Sequence, residues 1–172
     1  MHRLLVFLVV VCTLGISFTP GKDPVDFNGW EYMEWTWSKE KVEAALDKRG
    51  ILYNAGLPNQ KSGPTTSYYD YGMDIRLGYD AGHLYDIQQY RFYRISEKKQ
   101  ADKFYKKRKE KWIKKYGMPV VDAYSEVEKC NVTKWELKYT EINMYYDDKY
   151  IEYTQFPGEA YRIYIHITQR WF

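Results

Sequence analysis

The sequence predicts an α+β domain: a two-layer antiparallel sheet of about five strands packed by two helices, in the order α-β-β-α-β-β-β. Three observations predict it. Two segments, 39–49 and 97–116, carry apolar residues at helical spacing. Several others alternate apolar and polar residues with period two, and most of the tyrosines fall there. The strand-like segments are joined by short turns, which favours antiparallel pairing, and two amphipathic helices can cover one face of such a sheet.

Each element has a local reason. Trp30 to Trp37 forms a short aromatic lead-in. Ser38 is placed as an N-cap, because its hydroxyl can accept from an unpaired amide of the first helical turn. Val42, Ala45 and Leu46 give the apolar stripe of helix one, and Gly50 closes it. Asn54 to Ser67 holds Gly56, Pro58 and Gly63-Pro64 and reads as a loop. Tyr71, Met73, Ile75, Leu77 and Tyr79 alternate with polar residues and glycines, as in a half-buried strand. Asp80-Ala81-Gly82 reads as a three-residue hairpin loop. A strand over about 83–95 follows. Its apolar parity switches between Ile87 and Tyr90, which predicts a bulge near Gln88-Gln89.

Helix two is expected to begin after a Ser96 cap, with Glu97 in its first turn, and to end at Gly117 and Pro119. Ala101, Phe104, Tyr105, Trp112 and Tyr116 share one side of it, and Arg108 lies within that stripe. A loop is expected up to Val132. Trp135, Leu137 and Tyr139 then alternate, and Ile142, Met144 and Tyr146 alternate on the opposite parity, which implies a second bulge. Asp147-Asp148-Lys149 reads as a turn, Tyr150 to Phe156 as a strand and Pro157-Gly158 as a turn. The last strand starts near Ala160. Tyr161, Ile163, Ile165, Ile167 and Trp171 share one face, and Arg162, Tyr164, His166, Thr168 and Arg170 the other.

The start of the chain carries a different message. Met1-His2-Arg3 is basic, Leu4 to Phe18 is uncharged and mostly apolar, and Thr19-Pro20-Gly21 breaks the run. That is the pattern of a secretory signal peptide, too short for a membrane span of about 20 apolar residues. Residues 1–21 are therefore expected to be a signal, 22–29 a tether and 30–172 a single domain. Val11 before Cys12 is not small, which disfavours a lipid anchor there. Removing Arg3 leaves 25 basic against 23 acidic residues, a charge of +2, and Cys130 as the one remaining cysteine. No intramolecular disulfide can then form, and Asn131-Val132-Thr133 is a glycosylation sequon. With 32 aromatic residues in 172, the chain is not of the disordered class, and one apolar run excludes a polytopic membrane protein.

Trp35-Thr36-Trp37-Ser38-Lys39-Glu40-Lys41-Val42 with Leu46, and the helix end Lys115-Tyr116-Gly117-Met118-Pro119, resemble the corresponding segments of small exported bacterial domains. The groups in question are the β-lactamase-inhibitor-like proteins and the outer-membrane assembly lipoproteins. The resemblance implies an exported α+β architecture and carries over no functional residue.

Candidate chemistry is sparse. There is no G-x-S-x-G, no H-x-x-x-H and no C-x-x-C, so neither a catalytic residue nor a metal ligand is assigned, and no cofactor is expected. Asp70 and Asp74 share parity within the predicted strand, and Asp80 sits in a turn; these acids are the basis of a rival reading as a hydrolase of cell-wall or glycan substrates. Residues 97–115 hold ten Lys or Arg against three acids, +7, with Lys99, Lys103, Lys106, Lys107 and Lys114 opposite the apolar stripe. Such a face suits solvent or an anionic surface. Seven tyrosines lie in 68–93 and seven in 139–164, so the outward sheet face around Tyr164, His166 and Arg162 is the candidate binding surface. The expected function is that of an exported, non-catalytic protein, periplasmic or secreted, that binds a protein or cell-envelope component. The alternatives are the hydrolase and a structural assembly subunit. No nucleic-acid partner is expected, and no integral span after signal cleavage.

Overall fold

The computed structural model describes residues 25–56, 64–148 and 159–170. The expected signal (1–21), the first part of the tether (22–24), the 150–156 strand, the 157–158 turn and Trp171 lie outside the described residues.

The architecture corrects the expected five-strand arrangement. The described chain is mostly sheet. A two-stranded hairpin, β1 (Gly29–Trp30) with β2 (Met33–Glu34), precedes helix α1 (Lys39–Lys48). The remaining strands are β3 (Tyr53–Gly56), β4 (Thr65–Asp70), β5 (Met73–Asp80), β6 (His83–Arg94), β7 (Val121–Ser125), β8 (Cys130–Glu136), β9 (Thr140–Asp147) and β10 (Glu159–Gln169). They form one eight-stranded sheet in the order β3-β4-β5-β6-β10-β9-β8-β7, with every neighbouring pair antiparallel. Helix α2 (Lys98–Tyr116) follows a single 3-10 turn at Ile95–Glu97 and packs against β6 and β10.

The extra strands arise where the sequence reads as loop or as continuation. Tyr71 and Gly72 are not strand residues but a two-residue turn between β4 and β5, both at positive φ (51° and 73°). The loop after β5 is likewise Ala81-Gly82 alone, at φ 48° and 81°, with Asp80 paired to His83. Two residues of positive φ match the right-handed strand twist, which is why such turns close hairpins. The parity switch between Tyr139 and Ile142 is a hairpin turn separating β8 from β9, closed by the Leu137 amide donating to the Thr140 carbonyl at 2.8 Å.

The expected bulge at Gln88-Gln89 is also corrected. The β6–β10 register is unbroken from Asp86 to Tyr93, and the irregularity against β5 falls between Gly78 and Tyr79. The apolar pattern breaks at Gln89 because that polar side chain is buried in the core. It accepts from Arg108 Nη2 at 3.1 Å.

The core lies between the helices and the sheet face bearing Ile163, Ile165 and Ile167, which are fully buried. Val42 and Leu46 of α1 and Ala101 and Trp112 of α2 face it. The aromatic lead-in belongs to this core: Trp30, Met33 and Trp35 are buried. Trp112 meets Trp30 and Trp135 edge-on at 5.5 and 5.6 Å, an arrangement the ring quadrupole favours. Gly29 permits the tight β1–β2 hairpin, since a Cβ there would collide with the Met33 carbonyl.

The caps differ in their success. Ser38 Oγ accepts from the Lys41 amide at 3.4 Å, as expected of an N-cap. Ser96 caps nothing; it lies inside the 3-10 turn, where the Arg94 amide donates to Glu97 Oε2 at 2.8 Å. Gly117, at φ 86°, ends α2.

Candidate functional site

Period-two geometry sends alternate residues of each strand to the face away from the helices. Among the described residues no helix lies on that face. The register builds one row across it: Tyr69 (β4), Asp74 (β5), Tyr90 (β6), Tyr164 (β10), Tyr145 (β9) and Val132 (β8). A second row runs beside it: Ser67, Arg76, Gln88, His166, Asn143 and Lys134.

The central rings form a stack. Tyr90 and Tyr164 have centroids 4.9 Å apart and planes 19° apart, and Tyr164 and Tyr145 are 5.5 Å and 15° apart. These spacings are close to the 4.7–4.9 Å between neighbouring strands. The rings therefore stand on edge on the sheet, each covering its neighbour's face. Burial within the stack raises the phenol pKa of Tyr90, Tyr145 and Tyr164. His166, two residues along β10, lies beside the Tyr164 ring at 5.9 Å, and its Nε2 meets Asp86 Oδ1 at 2.5 Å. Asp86 also accepts from Gln88 Nε2 at 2.8 Å, and Gln88 Oε1 accepts from the Tyr90 hydroxyl. Arg162 pairs with Asp147 at 3.3 Å and lies 6.0 Å from the Tyr164 ring.

The three candidate residues of β10 are thus brought together, and they prove to be parts of a larger assembly. Tyr90, Tyr145, Asp86 and Gln88 belong to it and were not singled out from sequence. Their signal is present as outward parity in three other strands, but it needs the strand order 6-10-9, which sequence does not give. The lysines are placed elsewhere. Lys99, Lys103, Lys106, Lys107 and Lys114 are all exposed on α2, on the far side of the sheet from Tyr164, and none is ion-paired among the described residues.

The two halves of the open face differ chemically. On the β8–β9 side its charges are paired: Lys134 bridges Glu136 and Glu141 at 2.9 and 3.0 Å, and Asn143 donates to Glu141 at 2.8 Å. On the β4–β5 side, exposed Asp74 and Arg76 make no hydrogen bond or ion pair among the described residues. They line a groove of about 480 Å³ together with Leu52, Asn54, Tyr69 and Tyr90.

The acids considered for hydrolysis do not converge. Asp70 and Asp74 stand on different strands and opposite faces, because the Tyr71-Gly72 turn intervenes. Asp70 Oδ1 accepts from the Tyr71 amide at 2.7 Å, a turn role. Asp80 is exposed at the β5–β6 turn. His83 is tied to the lead-in, its Nδ1 3.0 Å from the Thr36 carbonyl. Among the described residues no group of three His, Cys, Asp or Glu side chains could hold a metal ion, and no helix is long and apolar enough to cross a membrane. No protein-family model, curated protein or solved structure matches the chain.

Proposed function

We propose that the chain is an exported, non-catalytic binding protein that engages a protein or another cell-envelope component through the open sheet face. The observation that carries this reading is the stacked row of Tyr90, Tyr164 and Tyr145 on a face that no helix covers among the described residues. The rings are held by their neighbours, so little side-chain entropy is lost when a partner docks. Export is supported by the basic, apolar and breaker segments at the start of the chain.

Site-specific photo-crosslinking in exporting cells tests the reading. A photo-reactive phenylalanine replacing Tyr164 should yield a discrete crosslinked species, and the same probe replacing Asp80 should not. No discrete species from position 164, or the same species from both positions, refutes it.

The lysine face of α2 is a second surface, suited to an anionic envelope component because five of its lysines lack ion-pair partners among the described residues. Its affinity for anionic vesicles should fall steeply as salt rises, since exposed charges are screened within about 10 Å at 0.1 M. Salt-independent binding removes this surface from consideration.

A further inference from the structure

The stack leaves one aromatic face open. Tyr164 is covered on both sides, by Tyr90 and Tyr145. Tyr90 is covered by Tyr164 on the β10 side and has the Phe92 ring beside it at 6.4 Å, and its other face looks across β5 into the groove. On the far side of β5, in the same cross-strand row, stands Tyr69, 65% exposed. Tyr69 and Tyr90 therefore flank Asp74 at two strand spacings, about 9.6 Å. The Tyr69 hydroxyl lies toward Gly72 at the turn, and the Tyr69 and Tyr90 side chains form two walls of the groove.

The floor of the groove is polar and electrically balanced. Asp74 accepts, Arg76 donates, and Asn54 at the rim does both. Asp74 and Arg76 have no hydrogen-bond partner among the described residues, in contrast to the paired charges on the β8–β9 side. Planar carboxylate, guanidinium and amide groups can engage two neighbouring hydroxyls at once. The faces of tyrosine rings are electron-rich and attract the partly positive axial C–H groups of a sugar. The opposed charges of Asp74 and Arg76 favour a ligand without net charge. The groove's size falls within the range of small-molecule sites, roughly 300–1,000 Å³.

We propose that this groove binds a pyranose ring of a neutral glycan, held between Tyr69 and Tyr90, with its hydroxyls bonded to Asp74 and Arg76. The inference rests on the reading of the sheet face as a binding surface and names the ligand class for its β4–β6 end. The groove is open to solvent, so an internal unit of a longer chain fits as well as an end.

The test is a titration of the full mature protein, followed by amide NMR shifts. The probes are four neutral tetrasaccharides: β-1,4-glucan, α-1,4-glucan, β-1,4-mannan and β-1,4-linked N-acetylglucosamine. At least one should saturate below roughly 10 mM, a range expected of a single shallow subsite. The shifts should centre on Tyr69, Asp74, Arg76 and Tyr90. Tyr69→Ala, at a position 65% exposed, should weaken binding about tenfold or more, and Asp74→Asn several-fold. Val127→Ala, at an exposed position of the β7–β8 turn at the opposite edge of the sheet, should leave affinity unchanged. Absence of saturation with all four probes overturns the proposal, as does binding that Tyr69→Ala does not weaken. A crosslinked partner at Tyr164 with no glycan binding overturns this inference alone; loss of both removes the sheet-face reading as well.

Discussion

Trp35 Nε1 donates to Thr140 Oγ1 at 3.0 Å, joining residues 105 apart in sequence, and both side chains are buried. Thr140 in turn donates to the Gly29 carbonyl at 3.1 Å. One hydroxyl thus fastens the β1–β2 hairpin and the segment after it to the start of β9. Thr140→Val keeps the shape and orphans two buried groups. Each orphan costs about 1–3 kcal/mol, so the variant should lose about 2–6 kcal/mol in urea unfolding. A loss below about 0.5 kcal/mol would show that the bond contributes little net stability.

Arg108 and Gln89 should behave as a unit. The guanidinium sits within the apolar stripe, donating to Gln89 Oε1 at 3.1 Å and lying 5.4 Å from the Trp112 ring and 5.7 Å from Phe104. Burial lowers its pKa, because the cation is partly stripped of water. Gln89→Leu alone leaves that cation without its oxygen, which should cost about 1–3 kcal/mol. Arg108→Met with Gln89→Leu should recover most of the loss, since an apolar pair of similar shape replaces the polar one. The coupling in a double-mutant cycle should be about 1–3 kcal/mol. Strict additivity would disprove the coupling.

Asp102 gives the protein an acid-sensitive contact. The Tyr146 hydroxyl donates to it at 2.6 Å, and Lys98 Nζ lies 3.1 Å away. The Tyr146 bond, followed by Lys98, holds the carboxyl below its ordinary value. A carboxylate whose folded pKa is depressed adds stability above its unfolded pKa of about 3.9, and that contribution is lost as pH falls through the lower folded value. Urea midpoints measured from roughly pH 6 to 2.5 should therefore fall less steeply below pH 4 for Tyr146→Phe than for the parent chain. Parallel curves would refute the link.

Cys130 should be inert in the folded protein. It is 3% exposed, and burial pushes its thiol up to about 11. At pH 8 only about one thiol in a thousand is ionised, and the thiolate is the reactive form. Thiol reagents should label it slowly when native and rapidly in urea, and a non-reducing gel should show monomer. Fast stoichiometric labelling of the native chain would contradict this.

The elements legible in sequence are those whose side chains report burial. The α1 stripe at Val42 and Leu46, the β5 alternation and the Ile163-Ile165-Ile167 run are each one-sided, and each is buried as read. Strands β3, β4 and β7 were not legible. Tyr53-Asn54-Ala55-Gly56, Thr65 to Asp70 and Val121 to Ser125 lie at or next to the sheet edges. Edge strands bury little side-chain surface, so apolar periodicity fades although backbone pairing persists. The Tyr71-Gly72 turn was hidden for a related reason: an aromatic residue at positive φ looks like strand material. Gln89 misled in the opposite sense, as a core residue with a polar side chain whose partner, Arg108, lies 19 residues away.

Local patterning is enough to set the chemistry of each face: which residues of β10 turn inward, which turn outward, and where the lysines of α2 gather. Those follow from local periods of two and 3.6 residues. Which outward residues meet depends on the folded strand order. The order 4-5-6-10-9 sets Tyr69, Asp74, Tyr90, Tyr164 and Tyr145 in one row. It thereby closes both faces of Tyr164 and leaves one face of Tyr90 open beside the unengaged Asp74 and Arg76. Strand order is a property of long-range pairing, and no local pattern in the chain encodes it.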